Sequence, residues 1–178
     1  ALDDTAPLNT LGCKRLMTGH STVMLDLMQD KDVLEARLDG KWRNRLRAAE
    51  KSDLQLLKSW NKADHYEWLL TKEVQQREYA GYQAPTPALI PLYDAAGAGT
   101  KNLFCIRQML GTTPSAAMLF LRAGTTATYV TGYATSTAKE QSAHNLLLWQ
   151  AMLALKKQGC RWLDSVSYTH LRAHETKA

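Results

Sequence analysis

The sequence predicts an α+β domain built around one mixed central sheet that is flanked by helices. Strand-like and helix-like segments alternate over the first 80 residues, and three strand-like runs separated by short turns follow them. A long helix closed by a glycine then precedes a last strand-like segment. With 178 residues, 45% of them hydrophobic, one soluble domain has enough apolar surface to bury a sizeable core.

The first elements alternate strand and helix. STVMLDL (21–27) has the alternating apolar pattern of a strand, and DKDVLEARLDG (30–40) has an Asp cap, helical spacing and a closing glycine. GKWRNRLRAAEK (40–51) predicts a second helix, and DLQLLKSW (53–60) predicts a strand. The narrow apolar face of the second helix consists of Trp42, Leu46 and Ala49.

A longer helix and a proline-rich segment come next. KADHYEWLLTKEVQQREYAG (62–81) predicts a long helix that ends at Gly81. Its apolar side consists of Tyr66, Leu69, Leu70 and Val74. GYQAPTPALIPLYDAAGAG (81–99) predicts a loop with a short helix near its end, because prolines interrupt regular structure.

The second half predicts a meander followed by a helix and a strand. KNLFCIRQML (101–110), SAAMLFLRA (115–123) and TATYVTGYAT (126–135) predict antiparallel strands, since only GTTP and GTT separate them. A helix is predicted over 142–157, with Ser142 as its cap and Gly159 as its stop. The core side of this helix consists of Leu146, Leu147, Trp149 and Leu153. CRWLD (160–164) begins another strand.

Composition limits the classes of function. Three cysteines far apart, with no CxxC spacing, indicate neither a disulfide framework nor a zinc site, and no metal is expected. No apolar run approaches the length of a membrane span, and the first residues lack the layout of a secretory signal. A cytoplasmic protein fits best. The net charge of +5 favours a polyanionic partner, although such an excess also occurs on proteins that bind nothing charged.

The C-terminal end resembles foreign sequence. VSYTHLRAHET (166–176) resembles the translation of a transposon-end sequencing adapter. Residues 165–178 are therefore expected to be a non-native tail, and His170 and His174 are not interpreted as metal ligands. The alternative is a natural amphipathic tail.

Four segments together carry a family resemblance. They are TVMLDL (22–27), LDGKWRNRLRAAEKSDLQL (38–56), AAMLFLRAGTTATYVTGYATS (116–136) and NLLLWQAMLALKKQGCRWLD (145–164). In this order they resemble the second domain of the Fem-type peptidoglycan aminoacyltransferases, whose members consist of two GNAT-like acyltransferase domains. The resemblance implies that 1–20 is a remnant of a preceding domain and that 21–164 is a GNAT-like domain missing its final strands. The family's Asp-Leu-Gly-Gly turn should begin at Asp164, where this sequence has DSVSYTH.

The resemblance also implies a reaction. It is the transfer of an amino acid from aminoacyl-tRNA, the donor, to an amine of a cell-wall precursor, the acceptor. The protein would then act in the cytoplasm, with peripheral association at the inner face of the membrane. No cofactor and no DNA partner are expected.

The basic helix over 40–51 is the first candidate substrate-binding surface. On a helix, cations that recur every four residues line one side, where their guanidinium groups match phosphate oxygens. The candidate residues are Lys41, Arg43, Asn44, Arg47 and Lys51. Two alternatives stay open: a solvated face neutralised by carboxylates such as Glu35, Asp39 and Glu50, or one arginine in a buried structural ion pair.

The meander, the last helix and the last strand hold the other candidates. Tyr129 and Tyr133 flank Gly132, where a substrate backbone could approach and accept their hydrogen bonds; the alternative is that both tyrosines cap the core. His144 and Asn145 lie in the first turn of a helix, where an anion or a developing oxyanion is stabilised. His144 is a candidate general base, or else an exposed residue beside a cap. Asp164 either orients the substrate amine or begins a turn.

Two other classes remain. An acyl-coenzyme A N-acyltransferase would share the fold, but TSTAKEQSAHN (135–145) lacks the glycines of a diphosphate-binding loop. A non-catalytic module would bind RNA or an anionic membrane through the basic helix alone.

Overall fold

A computed structural model describes residues 22–81, 86–97 and 99–165. The strands are β1 (Met24–Asp26), β2 (Gln55–Trp60), β3 (Leu103–Leu110), β4 (Thr113–Ala123), β5 (Thr126–Ala134) and β6 (Trp162–Asp164). The helices are α1 (Lys31–Ala36), α2 (Gly40–Lys51), α3 (Ala63–Ala80), α4 (Thr86–Ala96), α5 (Ser136–Glu140) and α6 (Ala143–Lys157). The predicted remnant at 1–20 and nearly all of the predicted tail lie outside the described residues.

The strands form one mixed sheet in the order β1-β6-β5-β4-β3-β2. The pairs from β2 to β5 are antiparallel, which confirms the predicted meander. β5 and β6 are parallel and are connected through α6, while β1 pairs antiparallel with β6 at the sheet edge. The predicted α+β fold with a mixed central sheet is therefore confirmed.

Helices cover both sides of the sheet, which we call the α6 face and the α3 face. On the α6 face, α2, α5 and α6 pack against side chains of the sheet. The predicted apolar side of α2 is buried there, and Asp39 caps this helix by accepting hydrogen bonds from the amides of Lys41 and Trp42 at 2.9 and 3.3 Å. The largest core side chains of this face include Trp149, Leu147, Met118 and Phe120.

The α3 face carries a second apolar cluster. Its buried members from the two covering helices and the sheet are Tyr66, Leu69, Leu70, Ile90, Leu103, Cys105, Ala117 and Leu119. α3 ends at Gly81, whose φ of 71° is the left-handed conformation that glycine adopts without strain. The predicted end of this helix is thus confirmed.

Several sequence predictions of local structure are wrong. Val74 is 41% exposed, and Glu73 faces the sheet in its place. Ser142 does not cap α6 with its side chain, because α5 ends just before it and Ser142 turns the chain with a φ of 56°. Leu153, in contrast, packs against the core as predicted, although it is only partly buried. α5 was not predicted, and the strand predicted over 21–27 is reduced to the three residues that pair with β6.

Among the described residues, no helix combines the length and the apolarity needed to cross a bilayer.

Candidate functional site

Among the described residues, β5 continues beyond its pairing with β6, and we call this end of the sheet the opening between β5 and β6. The two parallel strands pair over only three residues, Thr126–Thr128 with 162–164, whereas β5 runs on to Ala134. The connection from β5 to α6 passes over this end of the sheet. Ligands of open sheets with parallel strands commonly bind at such an end, beside the start of the connecting helix.

A β-bulge lies in β5 immediately after that pairing ends. The register with β4 shifts between Leu119 and Phe120, so that Val130 has no partner across the strand pair. A bulge reverses the alternation of side chains beyond it. Val130 and Tyr133 consequently pack in the cluster of the α3 face, whereas Tyr129 packs on the α6 face.

The bulge separates the two candidate tyrosines. Four residues apart on a regular strand, Tyr129 and Tyr133 would share a face; here they lie on opposite faces of the sheet and cannot bind one ligand together. Tyr129 packs edge-on against Phe120, with ring centroids 5.7 Å apart. Tyr133 packs edge-on against Trp68 at 5.5 Å, and the Lys72 ammonium lies 5.9 Å from its ring centroid. Both side chains are partly buried and pack against the apolar clusters, as the core-packing alternative expects, and their binding of substrate stays a prediction.

Gly132 makes room for Tyr129. A Cβ at position 132 would lie 2.5 Å from the Tyr129 hydroxyl and 3.2 Å from the Ala117 carbonyl oxygen. The space above this glycine is thus filled by the chain itself. Approach of a substrate backbone at Gly132 stays a prediction.

His144 lies in the first turn of α6 beside the end of β5. Burial lowers the pKa of its imidazole, and a hydrogen bond with the Tyr133 backbone partly offsets that effect. The side chain is therefore neutral at neutral pH and able to accept a proton. Asn145 is partly buried in the same turn, and its backbone N–H donates a hydrogen bond to the Ser142 carbonyl at 3.0 Å.

Acidification is expected to destabilise the chain through His144. Because its folded pKa lies below the ordinary value of 6.5, the unfolded state binds the proton first, and the free energy of unfolding falls as the pH drops below 6.5. Urea unfolding from about pH 5 to 8 checks this. His144→Gln should make the pH dependence shallower, with His65 retaining its own share because its pKa is lowered too. An unchanged profile in His144→Gln would contradict the assignment.

Asp164 lies at the end of β6, opposite Met24 of β1. The Thr22 hydroxyl donates a hydrogen bond to its Oδ1. Leu163 is buried in the cluster of the α6 face, so Asp164 faces the other side of the sheet, away from His144. The structure does not bring the two candidate catalytic residues together.

The basic helix keeps its cationic side at the surface. Arg43 donates hydrogen bonds of 3.5 Å to the carbonyls of Glu35 and Ala36, at the end of α1, and Arg47 lies 3.2 Å from the Glu35 carboxylate. Two arginines of the row are thus engaged with α1, as the solvated-face alternative expects. The other candidates are exposed, namely Lys41, Asn44 and Lys51. Phosphate binding by this row stays a prediction.

A buried ion pair on the α3 face was missed by sequence reasoning. Glu73 of α3 accepts hydrogen bonds from the Thr131 hydroxyl at 2.6 Å and from Arg77 Nε at 2.9 Å. Both charged side chains are only 11% exposed. The signal was a glutamate within the apolar stripe of α3 with an arginine four residues later. This network fixes α3 to the strand that carries the bulge.

Among the residues that the structure describes, no group of three or more His, Cys, Asp or Glu side chains could hold a metal ion.

Several solved structures have a similar fold. FemX superposes with a TM-score of 0.72 at 12% identity, over 93% of this chain and 60% of FemX. A conserved protein of unknown function from Bacteroides thetaiotaomicron has a TM-score of 0.60 at 13% identity, over 92% and 57% of the two chains. The C-terminal domain of a putative lysylphosphatidylglycerol synthetase from Agrobacterium fabrum has a TM-score of 0.52 at 12% identity, over 82% and 45%. The chain thus spans about 60% of the length of FemX.

No curated protein matches the sequence significantly. Residues 37–170, well over half of the chain, match the model of the acetyltransferase (GNAT) domain family. The chain belongs to the GNAT acetyltransferase domain family.

Proposed function

We propose that the chain is part of an acyltransferase that moves an amino acid from aminoacyl-tRNA to an amine of a peptidoglycan precursor. The observation that carries the proposal is the fold similarity to FemX over 93% of the chain, together with the Fem-type segments of the sequence. A second neighbour with a similar fold is the C-terminal domain of a putative lysylphosphatidylglycerol synthetase. A cytoplasmic location with peripheral membrane association belongs to the same proposal.

The proposed reaction places three demands on the site. The acceptor amine must lose a proton, its nitrogen attacks the ester carbonyl of aminoacyl-tRNA, and the carbonyl oxygen must be stabilised while it carries charge. The C–O ester bond then breaks, and the released ribose hydroxyl takes up a proton. We propose that His144 accepts the amine proton, since burial lowers its pKa and keeps the imidazole unprotonated at neutral pH.

The segment between β5 and α6 favours this donor over coenzyme A. Thr135 follows β5 directly, and its side chain caps α5 by accepting a hydrogen bond from the Ala138 amide at 3.3 Å. Amides that would cradle a diphosphate in a glycine-rich loop are used within α5 and in the turn at Ser142. An acyl-coenzyme A enzyme is therefore not the function we propose, although it is an outcome of the test.

The test is a label-transfer assay with the full-length parent protein. Labelled aminoacyl-tRNA and labelled acetyl-coenzyme A are each incubated with a muropeptide precursor. We expect label to move from tRNA to the precursor as an amide. Acetylation of the precursor, or tRNA binding without transfer, would overturn the proposal in favour of the coenzyme A enzyme or the binding module.

Matched variants test the basic helix in the same assay. Lys41→Ala with Lys51→Ala is expected to raise KM for aminoacyl-tRNA and to weaken its salt dependence, since each phosphate contact contributes to the slope. Lys101→Ala with Lys157→Ala removes two exposed lysines that lie outside α2 and should leave KM unchanged. If the two double variants changed KM for aminoacyl-tRNA equally, the result would count against phosphate binding by α2.

A further inference from the structure

Three buried polar atoms on the α3 face lack hydrogen-bond partners in the part of the chain that the structure describes. They are Ser59 Oγ, His65 Nδ1 and Arg107 Nε. Buried polar atoms are almost always hydrogen-bonded. A buried polar group without a partner loses its hydration and gains no hydrogen bond in exchange, which destabilises the fold. Three such atoms in one region of the fold indicate a place that something polar occupies.

The strand register brings the three side chains together. Ser59 of β2 pairs with Cys105 of β3, and Arg107 follows two residues later on the same face. The Cys105 thiol donates to the His65 carbonyl at 3.4 Å, which places the first turn of α3 above this part of β3. The Arg107 charge also contributes to the lowered pKa of His65, so the two side chains lie within electrostatic range. We call Ser59, His65 and Arg107 the Arg107 cluster.

No carboxylate among the described residues forms an ion pair with Arg107, whereas His65 of the same cluster has Asp64 Oδ2 3.4 Å from its Nε2. Arg107 is only 7% exposed, and a guanidinium is a permanent cation in proteins. Arg77 on the same face is comparably buried but is paired with Glu73. Burying a cation without a counter-charge is costly, and such groups are retained where they bind something.

The donors of the cluster fit one class of ligand. A guanidinium fork presents parallel N–H groups that match the two oxygens of a carboxylate, and the Ser59 hydroxyl supplies a further donor beside it. The first turn of α3, an 18-residue helix, adds the positive end of its dipole. One permanent cation balances one negative charge, which favours a carboxylate over a phosphate dianion.

We propose that the Arg107 cluster is a binding site for a carboxylate group, distinct from the opening between β5 and β6. It lies under the start of α3, two strands away from β5 in the sheet. The proposal does not depend on which acyl donor the protein uses.

The experiment follows side-chain resonances of the 178-residue chain by NMR during titration with sodium acetate, at constant ionic strength set with chloride. We expect saturable shifts of the Arg107 Nε–H signal and of the His65 ring. In Arg107→Met the acetate affinity should fall by about tenfold or more, the range expected for a lost hydrogen bond to a charged group. Arg45→Met removes an exposed arginine of α2 and should leave the affinity unchanged.

Two further measurements separate binding from a structural role. Ser59→Ala should weaken acetate binding several-fold, and Arg107→Met should unfold at the same or a higher urea concentration, because an uncompensated charge is removed. A large loss of stability in Arg107→Met would assign the arginine to the fold and overturn the proposal. It would equally be overturned by inorganic phosphate binding as tightly as acetate, or by the absence of saturable shifts.

Discussion

Replacing Trp149 with alanine is expected to lower the free energy of unfolding by about 3–5 kcal/mol. The indole is 1% exposed in the middle of α6 and belongs to the core of the α6 face. Its removal loses buried apolar area and leaves a cavity that the sheet cannot close. Urea unfolding followed by circular dichroism measures the change without relying on tryptophan fluorescence.

Leu92→Ala is the control for that variant. Leu92 lies on α4 and is 66% exposed, so its truncation should change the free energy of unfolding by less than about 0.5 kcal/mol. Similar losses in the two variants would show that α6 is not packed as described.

Loss of the ion pair between Arg77 and Glu73 should also lower the free energy of unfolding by a large amount. Arg77→Met leaves the buried Glu73 carboxylate with the Thr131 hydroxyl but without its cation. The free energy of unfolding is therefore expected to fall by about 3–5 kcal/mol. In the double variant Arg77→Met with Glu73→Leu no buried charge is left over. The double variant should therefore be more stable than Arg77→Met alone.

The exposed pair Arg47 and Glu35 is the matched control. Its side chains are 59% and 29% exposed, and solvent-screened pairs of this kind contribute about 1 kcal/mol or less. Arg47→Met should accordingly have a small effect on urea unfolding. A loss in Arg47→Met as large as that in Arg77→Met would contradict the difference in burial.

Local patterns predicted most of the elements. The spacing of Trp42, Leu46 and Ala49 identified the buried side of α2, and Gly81 identified the end of α3. Short turns between strand-like runs were sufficient for the meander of β3, β4 and β5. These features depend on residues close together in the chain, which is why the sequence alone conveys them.

The site was harder to predict because it depends on pairing between distant segments. Nothing in TATYVTGYAT marks Val130 as the extra residue of a bulge, yet that residue places Tyr129 and Tyr133 on opposite faces. The partner of Glu73 on β5 is 58 residues away. The position of Arg107 beside Ser59 depends on the register of β2 and β3. A slip of one residue in that register would place the two side chains on opposite faces of the sheet.

Photocrosslinking to a stable aminoacyl-tRNA analogue tests most directly where the proposed donor binds. A photoreactive phenylalanine derivative replaces Asn145, in the first turn of α6 beside the end of β5, or Thr125, in the turn at the opposite end of the sheet, in the full-length protein. We expect crosslinks from position 145 and none from position 125. Equal crosslinking from both positions, or crosslinking from 125 alone, would contradict a donor site at the opening between β5 and β6.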